Sequence, residues 1–217
     1  MAVLDLQEQE RLEAFKSWWK DNRAQILGGV LIAAVVVGGW RGWQYYQGKQ
    51  SNEAAVLYAE FTKQLESIDS KRINASAAAL TDKFAATPYA ARAALLAARA
   101  NELGKDSAQA KTQLQWVIAH AAEAGLKDVA RLRLASLLLD DKNYADALTL
   151  LEAEHPASFV GLYTDLKGDV LSAQGKIEEA RAAYQLAIDK TDAKSMYRNL
   201  IQVKLDAVVS AKATVSK

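Results

Sequence analysis

Asp165 to Ile188 reads DLKGDVLSAQGKIEEARAAYQLAI, and the fold is decided by this stretch. Gly168 and Ala180 are small where two antiparallel helices would have to cross closely, and Gly175 with Lys176 supplies a tight turn between them. Leu171, Ile177, Tyr184 and Ala187 fall on faces that such helices bury, with Tyr184 expected to fill the space between this pair and the next. Weaker copies precede it. One places Ala135, Leu138, Tyr144, Ala147 and Leu151 about the turn Asp140-Asp141-Lys142-Asn143, and an earlier one has Ala98, Gly104, Ala110, Leu114 and Val117. The alanines at 110, 147 and 180 are 37 and 33 residues apart. The two prolines, Pro88 and Pro156, lie 68 residues apart and fall at corresponding junctions between copies.

This order of small and large residues resembles the tetratricopeptide repeat, a helix pair with a period of about 34 residues. Composition points the same way. The 217 residues include 42 alanines but only 11 glycines and two prolines, the mixture of one strong helix former and few breakers that an all-α chain needs. Residues 51–86 read as a further, degenerate pair, with Val56, Leu57, Phe61 and Leu65 lining its first helix and Leu80 and Phe84 its second. Met196, Leu200, Ile201, Val203, Leu205 and Val208 predict a last helix over 193–209 that caps the array.

The segment Ala24 to Trp40, AQILGGVLIAAVVVGGW, carries no charge and only Gln25 as a polar residue. With Arg41 tolerated near a boundary, the apolar run extends through Tyr46. At about 1.5 Å per residue, a helix of this length matches a hydrocarbon core of about 30 Å. Trp18 and Trp19 suit one interface, and Trp40, Trp43, Tyr45 and Tyr46 the other. A cleaved signal peptide would need a short basic start and a small-residue exit. Here 23 residues with five acidic side chains come first, and the exit is Trp40-Arg41-Gly42-Trp43, so one uncleaved span is expected. Arg11, Lys16, Lys20 and Arg23 precede it, against Arg41 and Lys49 after it, which places the N-terminus in the cytoplasm. The expected segments are 1–23 cytoplasmic, 24–46 transmembrane and 47–217 helical and outside. Leu12, Phe15 and Trp19 share one helix side, as expected of a short interfacial helix over 4–20. Gly38 and Gly42 form a G-x-x-x-G pair suited to close contact with another transmembrane helix.

Catalytic machinery is not legible. The 27 basic and 26 acidic residues leave a net charge of +1, so composition implies no nucleic-acid surface. With no cysteine, disulfides, thiolate ligands and a thiol nucleophile are excluded. There are two histidines, His120 and His155, and neither has a second histidine at i+3 or i+4, so no metal or other cofactor is expected. Asp140-Asp141 reads as helix capping rather than an acid pair, and no phosphate loop or G-x-S-x-G occurs.

The arrangement of EAFKSWWKDN before the anchor, GGWRGWQYYQ at its exit and a short repeat domain after it resembles the YfgM-like ancillary subunit of the SecYEG translocon. Arg11 to Gln47, VARLRLASLLLDDKNYADALTLLE from Val129 and DLKGDVLSAQGKIEEARAAYQLAI from Asp165 carry the likeness. It implies an inner-membrane protein with a periplasmic solenoid, no catalytic motif, and association with SecYEG and a membrane-anchored periplasmic chaperone related to prolyl isomerases. A scaffold for another envelope machine, in division or outer-membrane assembly, is the alternative. In a tetratricopeptide array the first helix of each pair lines a concave face. The register puts Arg92, Leu95, Arg99 and Glu102 there, followed by Val129, Leu132, Ser136 and Leu139, then Leu162, Asp165, Asp169 and Ser172. The expected groove runs from a basic end through an apolar middle to an acidic end.

Overall fold

The computed structural model describes residues 6–65 and 69–215, among which there are nine α-helices and no strand. The first five residues of the expected 1–23 segment and the last two of 47–217 lie outside the described residues. The chain divides into two compact units, Met1–Gln50 and Ser51–Lys217.

The first unit is helical from Leu6 onward as part of α1 (Leu6–Gln64). The interfacial helix expected over 4–20 is therefore not a separate element. No proline interrupts Leu6–Gln64, and the glycine pairs 28/29 and 38/39 are helical. Val30, Leu31, Ile32, Val35, Val36 and Val37 all stand more than half exposed, so the apolar surface runs around the helix with no protein covering it. Among the described residues this is the one helix long and apolar enough to cross a membrane.

The second unit stacks helix pairs. The end of α1 packs with α2 (Ser70–Lys83), α3 (Pro88–Leu103) with α4 (Ser107–His120), α5 (Ala124–Asp140) with α6 (Tyr144–Leu151), and α7 (Val160–Ala173) with α8 (Ile177–Lys190). The last helix, α9 (Met196–Val215), lies against α8. Ala110, Ala147 and Ala180 are all fully buried, as close helix crossing demands. Pro88 opens α3 in its first turn, where its missing N–H costs nothing, and Pro156 precedes a 3-10 turn leading into α7.

The three internal turns are the same object. Lys105, Lys142 and Gly175 each take a left-handed backbone, with φ of 61°, 61° and 76°. They are spaced 37 and 33 residues apart, like the alanines. In each, the following N–H reaches back to the carbonyl five residues earlier: Asp106 to Asn101 at 2.8 Å, Asn143 to Leu138 at 2.8 Å and Lys176 to Leu171 at 2.9 Å. This is the Schellman closure of a helix end, and only the third copy uses the glycine that suits it. Gly104 stays right-handed at φ −77° and leaves the strained position to Lys105. Asp141 occupies the C-cap of α5 and pairs with Lys111 of α4, so the Asp140-Asp141 pair does not cap α6.

Three other expectations are corrected by packing. Val56 is 62% exposed; Ala54 and Phe61 carry that helix's buried face, flanked by Leu57 and Tyr58. Tyr184 does reach the next element, sharing a core with Ile201 and Leu205 of α9, but its tightest packing is inside its own pair, over Gly168, where an added Cβ would come within 2.5 Å of the ring. The capping helix has two apolar faces: Ile201, Leu205 and Val208 are buried, while Met196, Leu200 and Val203 are 88%, 51% and 64% exposed.

Candidate partner-binding groove

Along α3, Arg92, Leu95, Arg99 and Glu102 recur at i, i+3, i+7 and i+10, a single stripe, and the residues expected on α5 and α7 repeat that spacing. Their surroundings differ. Arg99 and Ser136 are exposed, whereas Arg92, Glu102, Val129, Leu132 and Leu139 are half-buried and Leu95 is buried. Leu132 and Leu139 pack against a core that includes Tyr163 and Val170 of α7. The stripe thus contributes to stacking of one pair on the next as well as to surface.

On α7 the same register position, Asp165, is a carboxylate that is only 2% exposed. Its Oδ2 accepts hydrogen bonds from the Tyr197 hydroxyl at 2.5 Å and Lys204 Nζ at 2.8 Å, both from α9. Lys204 also donates to Asp169 at 2.7 Å, and the Tyr184 hydroxyl donates to Asp169 at 2.8 Å. Burial, then the neighbouring carboxylates, raise the Tyr184 and Tyr197 phenols well above their ordinary range. Burial alone would lower Lys204, but its hydrogen bonds to Asp165 and Asp169 and their charges outweigh that and raise it. The phenols stay protonated and the ammonium stays charged at neutral pH. A second buried carboxylate, Asp128, accepts from Tyr163 and Arg131 at 2.9 Å each and ties α5 to α7. Burial, followed by Asp128, pushes the Tyr163 phenol up to about 12.

The expected charge gradient is corrected by these pairings. Arg92 is bonded to Glu123 at 2.9 Å, and Asp165 and Asp169 are paired with Lys204, with Asp165 buried beneath α9. The acidic end is therefore an internal joint, while Leu162 remains exposed and Ser172 half-buried. Open space remains between α3 and α5. One cavity of about 240 Å³ is lined by Tyr58, Arg92, Leu95, Leu96 and Arg133. Another of about 280 Å³ is lined by Glu102, Lys105, Ser107, Arg133, Ser136, Leu137 and Asp140. The structure thus brings Arg92, Leu95, Glu102 and Ser136 to one cleft. Arg133, at its centre, was not in the expected set, although it lies one residue from Leu132. Tyr58, Glu123, Tyr197 and Lys204 were also missed, because each acts across the array rather than within a copy.

The remaining singled-out residues have structural partners or none. His120 stacks on Trp116 at 4.7 Å, and His155 stacks on Tyr163 at 3.9 Å with Nδ1 2.7 Å from the Ala153 carbonyl. A Cβ at Gly38 or Gly42 would meet nothing within 4 Å.

Comparison with known proteins bears on both units. The model of the tetratricopeptide repeat-like domain family matches residues 16–210. A protein of Neisseria gonorrhoeae named ancillary SecYEG translocon subunit is 31% identical over 94% of this chain and 98% of its own. Its namesake in Escherichia coli is 28% identical over 92% and 95%, and that in Aggregatibacter actinomycetemcomitans 28% over 93% and 97%. No solved structure matches. The matched range takes in the apolar helix and the helix pairs together, and the chain belongs to the ancillary SecYEG translocon subunit family, with a tetratricopeptide repeat-like domain.

Proposed function

We propose that this chain is a non-catalytic adaptor of the inner-membrane Sec translocon that links emerging polypeptides to periplasmic chaperones. The observation that carries it is the extent of the likeness, which spans the apolar helix and the helical domain together at 92–94% of the chain in three relatives named as translocon subunits. In this reading residues 1–23 are cytoplasmic, 24–46 cross the membrane with Gly38 and Gly42 set against another helix, and 47–217 face the periplasm. The charge balance around the span, four basic residues before and two after, supports that orientation. The concave-face residues of α3 and α5 receive a partner, including a membrane-anchored chaperone related to prolyl isomerases. Extraction in mild detergent followed by affinity capture and mass spectrometry tests the reading. SecYEG and such a chaperone are expected in the eluate; recovery of division or outer-membrane-assembly components instead would overturn it.

A further inference from the structure

Arg133 has hydrogen-bonding capacity to spare. It projects from α5 into the cleft with α3, where its Nη1 donates to the Leu95 carbonyl at 3.3 Å, and among the described residues no carboxylate pairs with it. Beside it stands Arg92, whose bond to Glu123 joins two side chains 40% and 48% exposed, a pair that water can exchange. The wall between these guanidinium groups is apolar: Tyr58, Leu95 and Leu96 close a slot of about 240 Å³, room for one aliphatic side chain. On the other side of Arg133 the cleft continues past Glu102, whose Oε1 is buried with no hydrogen-bond partner.

We infer that the α3/α5 cleft binds an extended segment of a partner polypeptide in which an aliphatic residue adjoins a carboxylate. The aliphatic side chain enters the slot, the carboxylate takes the Arg133 fork, and the following main chain runs along the cleft past Glu102. Charge complementarity selects this occupant, because Arg133, a guanidinium with no carboxylate partner among the described residues and beside an apolar slot, favours an anion next to a hydrophobe. The geometry gives the bound chain a direction, from the slot towards Glu102. This rests on the adaptor reading and names the kind of segment the adaptor would hold.

The test uses the full-length protein in detergent and a fluorescent eight-residue peptide with a central Leu-Asp, read by anisotropy. Binding is expected. Replacing the peptide's Asp by Asn should weaken it about tenfold, and so should Arg133→Gln, which should leave the Asn peptide unaffected. Arg133→Lys keeps the charge without the fork and should fall between, which guards against a folding defect in the first variant. Equal affinity for the two peptides, or no effect of either Arg133 variant, overturns the inference. Competition by anionic phospholipid micelles but not by unlabelled peptide would assign the slot to a headgroup and also overturn it. SecYEG capture by the unsubstituted protein checks the adaptor reading separately: capture that succeeds while the peptide fails to bind overturns this inference alone.

Discussion

Gly168→Ala isolates the closest approach in the array. A methyl group there would lie 2.5, 2.6 and 2.9 Å from three carbons of the Tyr184 ring, so the ring must retreat by roughly 1 Å to reach ordinary contact distance. It has little freedom to do so. Tyr184 is 3% exposed and its hydroxyl is bonded to Asp169 at 2.8 Å. Overpacking costs about 1–3 kcal/mol, and loosening a hydrogen bond to a charged group about 1.5–3 kcal/mol if it is lost outright. Against this, alanine gains about 0.8–1 kcal/mol over glycine in a helix. A net loss of roughly 1–3 kcal/mol is expected, which for a unit of this size lowers Tm by about 3–10 °C. Thermal melts of the full chain in detergent, followed by circular dichroism, measure it. Tyr184→Leu should relieve the clash, so the two changes together should be less damaging than their sum. An unchanged or raised Tm would mean that helix propensity alone governs the site and that the ring is free to move.

Lys204→Ala should cost about 3 kcal/mol, because it strips the buried Asp165 of its cation, while Asp165→Leu with Lys204→Met should be near neutral; equal losses in urea midpoint would refute the distinction. Stability should fall as pH rises above about 10. Tyr163 keeps its proton to about 12 when folded but releases it near 10 when unfolded, so rising pH favours the unfolded chain by about 1.4 kcal/mol per unit. Raised Tyr184, Tyr197 and Lys204 add to the same alkaline loss, and Tyr163→Phe should make the slope shallower by one group's share; an unchanged slope counts against the assignment. Lys142→Gly should raise Tm by relieving the left-handed backbone, worth about 1 kcal/mol, and a fall would place the strain elsewhere.

The helix pairs were legible because close crossings need small residues at fixed spacing, and Gly168, Ala110, Ala147 and Ala180 announce them. The long apolar helix was legible because the run from Ala24 to Trp40 carries no charge. What pairs with what was not. Asp165 and Lys204 are 39 residues apart, and Asp128 and Tyr163 35 apart, on separate elements. Nothing local distinguishes a buried aspartate on α7 from a solvated one, so Asp165 and Asp169 read as a groove. The exposed stripe of α9 was obscured for a related reason. An apolar residue at every third or fourth place shows that one face is buried, but Met196, Leu200 and Val203 form a second face on the same helix.

Asp165 also numbers the repeats. Leu95 and Leu132 occupy the same register position on α3 and α5, where an apolar neighbour receives each of them. Only α9 offers a lysine and a tyrosine to the third. A chain in which the α7–α8 pair were moved ahead of α5–α6 would take its buried aspartate away from Lys204 and Tyr197. The pairs are therefore not interchangeable modules, although their turns share the same backbone hydrogen bonds. A single acidic side chain gives the array a sense of direction and a defined last place, so that shuffled orders would be rejected at folding.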